Sequence, residues 1–370
     1  MKLHLYLIKT ALLTFIFLSG ITPSKGKAPS LTPDKLASAP PRIIRTCCSF
    51  GADVRLAVIP FVRYTDITSR EEIGQHQYLG GKHEGNGNIY TRRGGFIDLG
   101  HLRDCADWTA YLYNLIIASR ENPALQISGL GSEGGQKTLV LDIPENIDSS
   151  DVYELAGKIA YDLSLWHEIA TWFGASYVPL IPERYSSFSP EDLYSNLLGV
   201  TLGIRALKSN LDYEEAMTLL IAETLDSLEA VETRNDTWEA MQKVEEIWWT
   251  SEKRLPSKKV LIKRYLDTEN SLFPWLIPNE EATSSPSPLI KPAEWLNNFY
   301  RLEFRMNYHF PVKSIFGKEN HRVITQTDFC TLLRHIEKEV NDLDNKTTAQ
   351  RIRREQRREK RKERETRAVA

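Results

Sequence analysis

Two short blocks concentrate side chains that could bind a metal ion or move a proton. Gly94 to Asp107, GGFIDLGHLRDCAD, sets His101, Asp104 and Cys105 among aliphatic neighbours. Leu163 to Gly174, LSLWHEIATWFG, sets His167 and Glu168 between two tryptophans. In apolar surroundings such groups must be neutralised, hydrogen-bonded or metal-bound, because an unpaired buried charge is costly. On a helix, His101 lies three residues before Asp104 and four before Cys105, so either pair shares a face. His167 from a second helix and a carboxylate from Glu168, Glu191 or Asp192 would complete a tetrahedral or octahedral set. The expected ligands are His101, Asp104, His167 and Glu191, with Glu168 as general base. Zinc or another divalent ion held there would support metal-assisted hydrolysis.

The second block, HEIAT, is similar to the HExxH helix of zinc peptidases, in which two histidines four apart hold the ion and the Glu polarises water. Here Thr171 stands at the second ligand position. Two other readings use the same residues. Asp104-Cys105-Ala106-Asp107 resembles the cysteine-bearing helix of papain-like and cell-wall amidase folds, which would make Cys105 a nucleophile and His167 its base. Alternatively, these groups form a packed polar network in a non-catalytic binding or structural protein.

The elements that must position them are mainly helical. A helix is expected from about Arg103 to Ser119, with an apolar stripe of Trp108, Leu112, Leu115 and Ile116. A second, capped by Ser149 or Ser150, ends at Gly174, and Ser189-Pro190-Glu191-Asp192 is a helix start. Further helices are expected at Tyr213 to Val231, Thr237 to Thr250 and Asp328 to Leu343. Leu125 to Ser128 and Thr138 to Ile143 read as a hairpin across GLGSEGGQ, and Val54 to Val62 as an edge strand. Gly-rich residues 73–95 read as a long loop beside the site. The fold class is α+β, predominantly helical, with a small antiparallel sheet or hairpin.

The termini differ from this body. Lys2 and Lys9 precede an apolar run, ALLTFIFLSGI, far short of the ~20 residues of a membrane span, followed by Pro23 and small residues. Residues 1–26 therefore read as a signal peptide, 27–41 as a linker, 42–346 as the main domain and 347–370 as a basic tail. Export, most simply to a periplasm, is expected, with a signal-anchored form as the alternative. The formal net charge of −2 contains +4 in residues 1–30 and +6 in 351–370, which leaves −12 in the body. That acidic body argues against a nucleic-acid partner. The expected partners are an envelope peptide, peptidoglycan or lipid, and the tail suits anionic surfaces. In an oxidising compartment at least one disulfide is expected among Cys47, Cys48, Cys105 and Cys330.

Cys47-Cys48 after Pro-Pro-Arg, the GGFIDLGHLRDCAD block, the WHEIATWFG helix and SSFSPEDLYSNLLG together resemble a family of exported bacterial proteins of unknown function. The resemblance covers residues 42–208 best. It implies that these blocks share one domain, and it carries no activity, substrate or cofactor.

Overall fold

The protein is described by a computed structural model, which covers residues 45, 49–57, 65–175, 183–266, 269–278, 285–306, 310–317 and 322–345. The signal peptide, linker, Cys47, Cys48 and basic tail expected from the sequence lie outside the described residues. The fold is α+β and predominantly helical, with small antiparallel sheets. Among the described residues no helix is long and apolar enough to cross a membrane.

A short hairpin, β1 (Asn88–Thr91) and β2 (Gly95–Asp98), leads directly into helix α1 (Leu99–Glu121). This helix starts earlier than Arg103 because Asp98 caps it: Oδ1 accepts from the backbone N–H groups of Gly100, at 2.7 Å, and His101, at 3.1 Å. Helix α2 (Ser149–Trp172) is capped by Asp148 rather than by a serine, and Gly174 turns the chain away with φ of 98°. Helix α3 (Asp192–Lys208) begins after Pro190, and the Ser189 N–H donates to Asp192 Oδ2 at 2.6 Å. Helices α4 (Tyr213–Ser227) and α5 (Arg234–Lys243) are each shorter than the apolar pattern suggests.

Helix α1 is the centre of the body and packs against both α2 and α3. Close approach of α1 and α3 depends on glycine: a Cβ on Gly199 would sit 2.1 Å from the Leu102 carbonyl oxygen. The buried side chains between the three helices include Leu102, Ala106, Leu155, Ile159, Leu197 and Val200, and full burial of each Leu, Ile or Val contributes about 1.5–3 kcal/mol.

The hairpin of β3 (Ile127–Ser132) and β4 (Gly135–Leu141) runs further into the glycine-rich stretch than expected, leaving Glu133 and Gly134 at the turn. Two strands unanticipated in the sequence, β7 (Tyr300–Met306) and β8 (Val323–Thr325), extend it to four strands in the order β3-β4-β7-β8, all antiparallel; β5 (Ser271–Leu272) and β6 (Leu289–Ile290) form a separate pair. Trp166 of α2 stacks on Phe304 of β7 at 4.1 Å, and its indole N–H donates to the Glu133 carbonyl at 3.1 Å. That pair fixes the hairpin turn beside His167. Residues 329–345 form a last helix. A second apolar cluster, around Phe50, Phe96, Trp248 and Trp249, packs behind β1 and β2. Of the strand expected over Val54 to Val62, Leu56 makes one isolated bridge to Leu255, and residues 58–64 lie outside the described part.

Candidate metal centre

The three central helices deliver their polar groups to one place. The Asp98 cap fixes His101 in the first turn of α1, and the Asp98 N–H donates to Ser195 Oγ of α3 at 2.9 Å. From α2, Glu168 accepts the Phe188 N–H at 2.7 Å on Oε2, while Ser187 donates its hydroxyl to the Glu168 carbonyl. Phe188 has φ of 57°, a left-handed backbone conformation that is unfavourable for a bulky side chain and is held here by these contacts. The turn so formed brings Glu191 and Asp192 onto Glu168.

His101, Glu168 and Asp192 each offer one ligand atom, all within 4.8 Å of one another, so this group could hold a metal ion. His101 Nδ1 lies 3.3 Å from Asp192 Oδ1. Burial pushes Glu168 well above the ordinary carboxylate range, and the neighbouring Asp192 charge adds to the effect. Glu191 is raised in the same way by burial and by Asp192 and Asp98. Asp192 is raised by burial, against the opposing influence of His101. Burial alone would lower His101, but Asp98, Asp192, Asp104 and Glu183 outweigh it and raise its pKa. The buried Arg264 guanidinium is also near Asp192 and Glu168, with its N–H groups donated to the carbonyls of Ser187, Tyr185 and Lys258. Carboxylates that deeply desolvated either keep their protons or gain a cation.

The residues singled out in the sequence divide between this centre and its surroundings. His101 and Glu168 are inside it, and Glu168 stands as a ligand candidate where the sequence suggested a base. Asp192, one of the alternative carboxylates, is the third member. Glu191 is buried beside it; the Ser189 hydroxyl favours its charged form, yet neither carboxylate oxygen accepts a well-aligned hydrogen bond. His167 is close but turned: its ring lies 6.1 Å from that of His101, nearly perpendicular, and Nδ1 is 2.6 Å from Glu133 Oε1. Glu133 is in turn paired with Lys137 at 3.0 Å. Asp104 faces away, 2.7 Å from Nη1 of Arg45, and is not one of the three convergent groups. Burial pushes it up to about 6 in spite of Arg45. Cys105 donates its thiol to Asn196 Oδ1 at 3.3 Å, and burial and Asp104 push that thiol up, away from the reactive thiolate. Cys105 and Cys330 carry free thiols, and Cys47 and Cys48, the other candidates for the expected disulfide, lie outside the described residues.

Sequence reasoning missed Asp98, Glu133 and Arg264. Asp98 was open to detection as an N-cap directly ahead of an apolar helix. Glu133 and Arg264 carry no such signal, since only the hairpin turn and the fold of residues 183–266 bring them near.

The model of a protein family of unknown function, DUF4056, matches residues 35–278. The chain belongs to the DUF4056 family. The match contains every residue of the candidate centre described above, whereas β7, which pairs along the whole of β4, lies beyond it. No curated protein and no solved structure matches the chain.

Proposed function

We propose that this DUF4056 protein is a metal-dependent hydrolase, with a divalent ion, zinc or a related metal, held by His101, Glu168 and Asp192. The observation that carries the reading is the meeting of one imidazole and two desolvated carboxylates from three different helices. An ion there would act as a Lewis acid and lower the pKa of water. The chain's own contribution to proton transfer is His167. Its Nδ1 is tied to Glu133, which orients the ring as a carboxylate partner does for a general base. On the side of His101 and His167 the centre is nearest to solvent, their side chains being 11% and 21% exposed. That side is where a substrate would enter. The apolar N-terminal run supports export, and an envelope peptide, peptidoglycan fragment or lipid-derived ester is the substrate class in keeping with it.

The test is metal content followed by turnover. Protein purified without chelator is expected to carry a stoichiometric divalent metal, lost in His101→Ala, and to hydrolyse at least one of a set of chromogenic ester, amide and phosphodiester probes. His167→Gln should keep the metal and lose about 10²–10⁴-fold in rate, the usual contribution of a positioned base. A metal-loaded protein inert to every probe would favour a non-catalytic binding protein, and a metal-free protein indifferent to added metal would remove the reading altogether.

A further inference from the structure

The four-stranded sheet runs in the order β3-β4-β7-β8, so one edge is β8, with three residues, and the other is β3, with six. Which way β3 turns its main chain follows from the strands beside it. On β7 the N–H groups of Leu302 and Met306 donate away from β4, to Gln326 Oε1 at 2.9 Å and to the Arg322 carbonyl at 2.7 Å. Leu302 faces Leu139 of β4, so that pair exchanges no main-chain bonds, and Leu139 bonds its other neighbour, Ser128 of β3. Alternation then points the N–H and C=O of Gly129 outward, and among the described residues nothing bonds them there.

Sheet edges are ordinarily blunted by charge, proline, a bulge or a cover, because an open ladder pairs with any extended chain. Strand β3 reads ISGLGS, without charge or proline, and its register shift falls beyond the open position, between Gly129 and Ser132. No side chain obstructs the approach: a Cβ on Gly129 would meet nothing within 4 Å. Two residues earlier Ile127, 67% exposed, offers an apolar contact on the same face of the strand. The strand also leads to the candidate centre. It ends at Glu133, whose carboxylate holds His167 Nδ1 at 2.6 Å. The turn lies against α2, where a Cβ on Gly134 would sit 3.3 Å from that of Ala170. From Gly129 to Glu133 the strand covers about 13 Å at the usual rise per residue.

We infer that the outer edge of β3 binds the main chain of an extended peptide by strand addition and leads it to the His101, Glu168 and Asp192 centre, so that the substrate is a peptide. The inference rests on the hydrolase reading above and narrows its substrate class. Strand addition recognises the regularly repeated N–H and C=O of a polypeptide, which glycan strands and lipid esters lack, and it tolerates many sequences. Ile127 favours an apolar side chain beside it. The bond cleaved is then a peptide C–N bond about four residues along from the residue paired with Gly129. The water oxygen goes to the new carboxylate and a water proton to the leaving amine.

Full-length protein and a pool of internally quenched decapeptides of randomised sequence test this with and without turnover. In chelator-stripped protein the pool should slow amide exchange at Gly129 several-fold. In metal-loaded protein, decapeptides N-methylated at a single position should be cleaved about tenfold more slowly when the methyl removes a main-chain bond to the edge. The sensitive positions should alternate with insensitive ones, beginning about four residues from the cleaved bond. Gly129→Pro removes the outward N–H and leaves the ladder to β4. It should raise KM for decapeptides about tenfold, the loss of one such bond, while tetrapeptides, too short to reach the edge, are cleaved as by wild type. Gly129→Ala, which keeps the N–H, should match wild type. The N-methyl scan uses unaltered protein and stands even if the proline variant folds poorly. No protection at Gly129, or cleavage indifferent to N-methylation, overturns strand addition. Hydrolysis of ester or phosphodiester probes but of no peptide overturns the peptide assignment and leaves the hydrolase reading standing. Protection at Gly129 in a protein that cleaves nothing overturns the hydrolase reading and leaves β3 as a peptide-binding edge.

Discussion

Helix α1 carries two buried charged clusters, little more than one turn apart, that are built on opposite principles. Around Arg45, every acid has a partner: its guanidinium reaches Glu84 at 2.9 Å, Asp104 at 2.7 Å and Asp107 at 2.8 Å. Asp107 also meets His76 Nε2 at 3.1 Å, and it accepts the Tyr213 hydroxyl and the Leu79 N–H. Burial alone would raise Asp107 and Glu84, but His76 and Arg45 on the first, and Arg45 on the second, hold both below the ordinary carboxylate range. Around His101 the acids outnumber the cations, and the same burial drives Glu168 and Glu191 upward. A balanced cluster fastens the 73–95 segment to α1. A cluster with surplus acid and orphaned oxygens could hold a cation.

The sharpest way to break this contrast is to unbalance the fastening cluster. Arg45→Met would leave Glu84 and Asp107 buried beside a neutral side chain, and breaking a buried pair costs about 3–5 kcal/mol. Urea unfolding should show that loss, whereas Glu168→Gln in metal-free protein should leave stability unchanged or raised. A comparable loss in both variants would mean that the two clusters do the same job.

A smaller effect is expected at the helix contact that holds the acid-rich cluster together. Gly199→Ala drives a methyl against the Leu102 carbonyl, two residues before Asp104 and next to His101. Overpacking of this kind costs about 1–3 kcal/mol. Because α3 carries Asp192 and α1 carries His101, metal affinity should fall as well, by more than in an equally destabilised variant of the cluster around Trp248. Calorimetric titration with zinc checks this, and unchanged affinity would place the ion away from the α1–α3 junction.

The smallest effect is in the pH dependence, where the clusters have opposite signs. Glu168, Glu191 and Asp192 have raised pKa values, so the folded chain keeps protons that the unfolded chain has lost. In metal-free protein their contribution to stability is therefore greatest in acid and declines as pH rises from the ordinary carboxylate range toward their folded values. Glu84 and Asp107 are lowered, so their contribution is present above the ordinary carboxylate range and is lost as pH falls. Urea midpoints between about pH 5 and about pH 8 should decline for chelated wild type, and the decline should flatten in Glu191→Gln. An identical slope in the variant would remove Glu191 from the source of the effect.

The helices that carry the centre were legible because each has a local signature. Apolar spacing marks α1 and α2, Gly174 marks the end of α2, and Ser189 to Asp192 announces α3. Boundaries moved where the capping residue was an aspartate, Asp98 or Asp148, outside the apolar pattern. The meeting of His101 with Glu168 was legible in kind, since both belong to polar blocks within apolar helices. The orientation of Asp104 was not. It is set by Arg45, 59 residues away in the chain, whose guanidinium captures Asp104 together with Asp107 and turns it from His101. His167 was likewise diverted by Glu133, which arrives through the turn of a hairpin whose strands pair with a β7 that no local pattern announced. Long-range pairing of this sort has no footprint in spacing.

The most direct measurement of the central distinction is the thermal unfolding of chelator-stripped protein with and without added zinc. An ion held by His101, Glu168 and Asp192 in the folded chain stabilises it by about 2.7 kcal/mol at a free concentration of 100 times the dissociation constant, which raises Tm by several degrees. That increment should persist in Arg45→Met, on a lower baseline, and vanish in His101→Ala. An increment absent from wild type, or retained in full by His101→Ala, would contradict the assignment of this cluster as a metal centre.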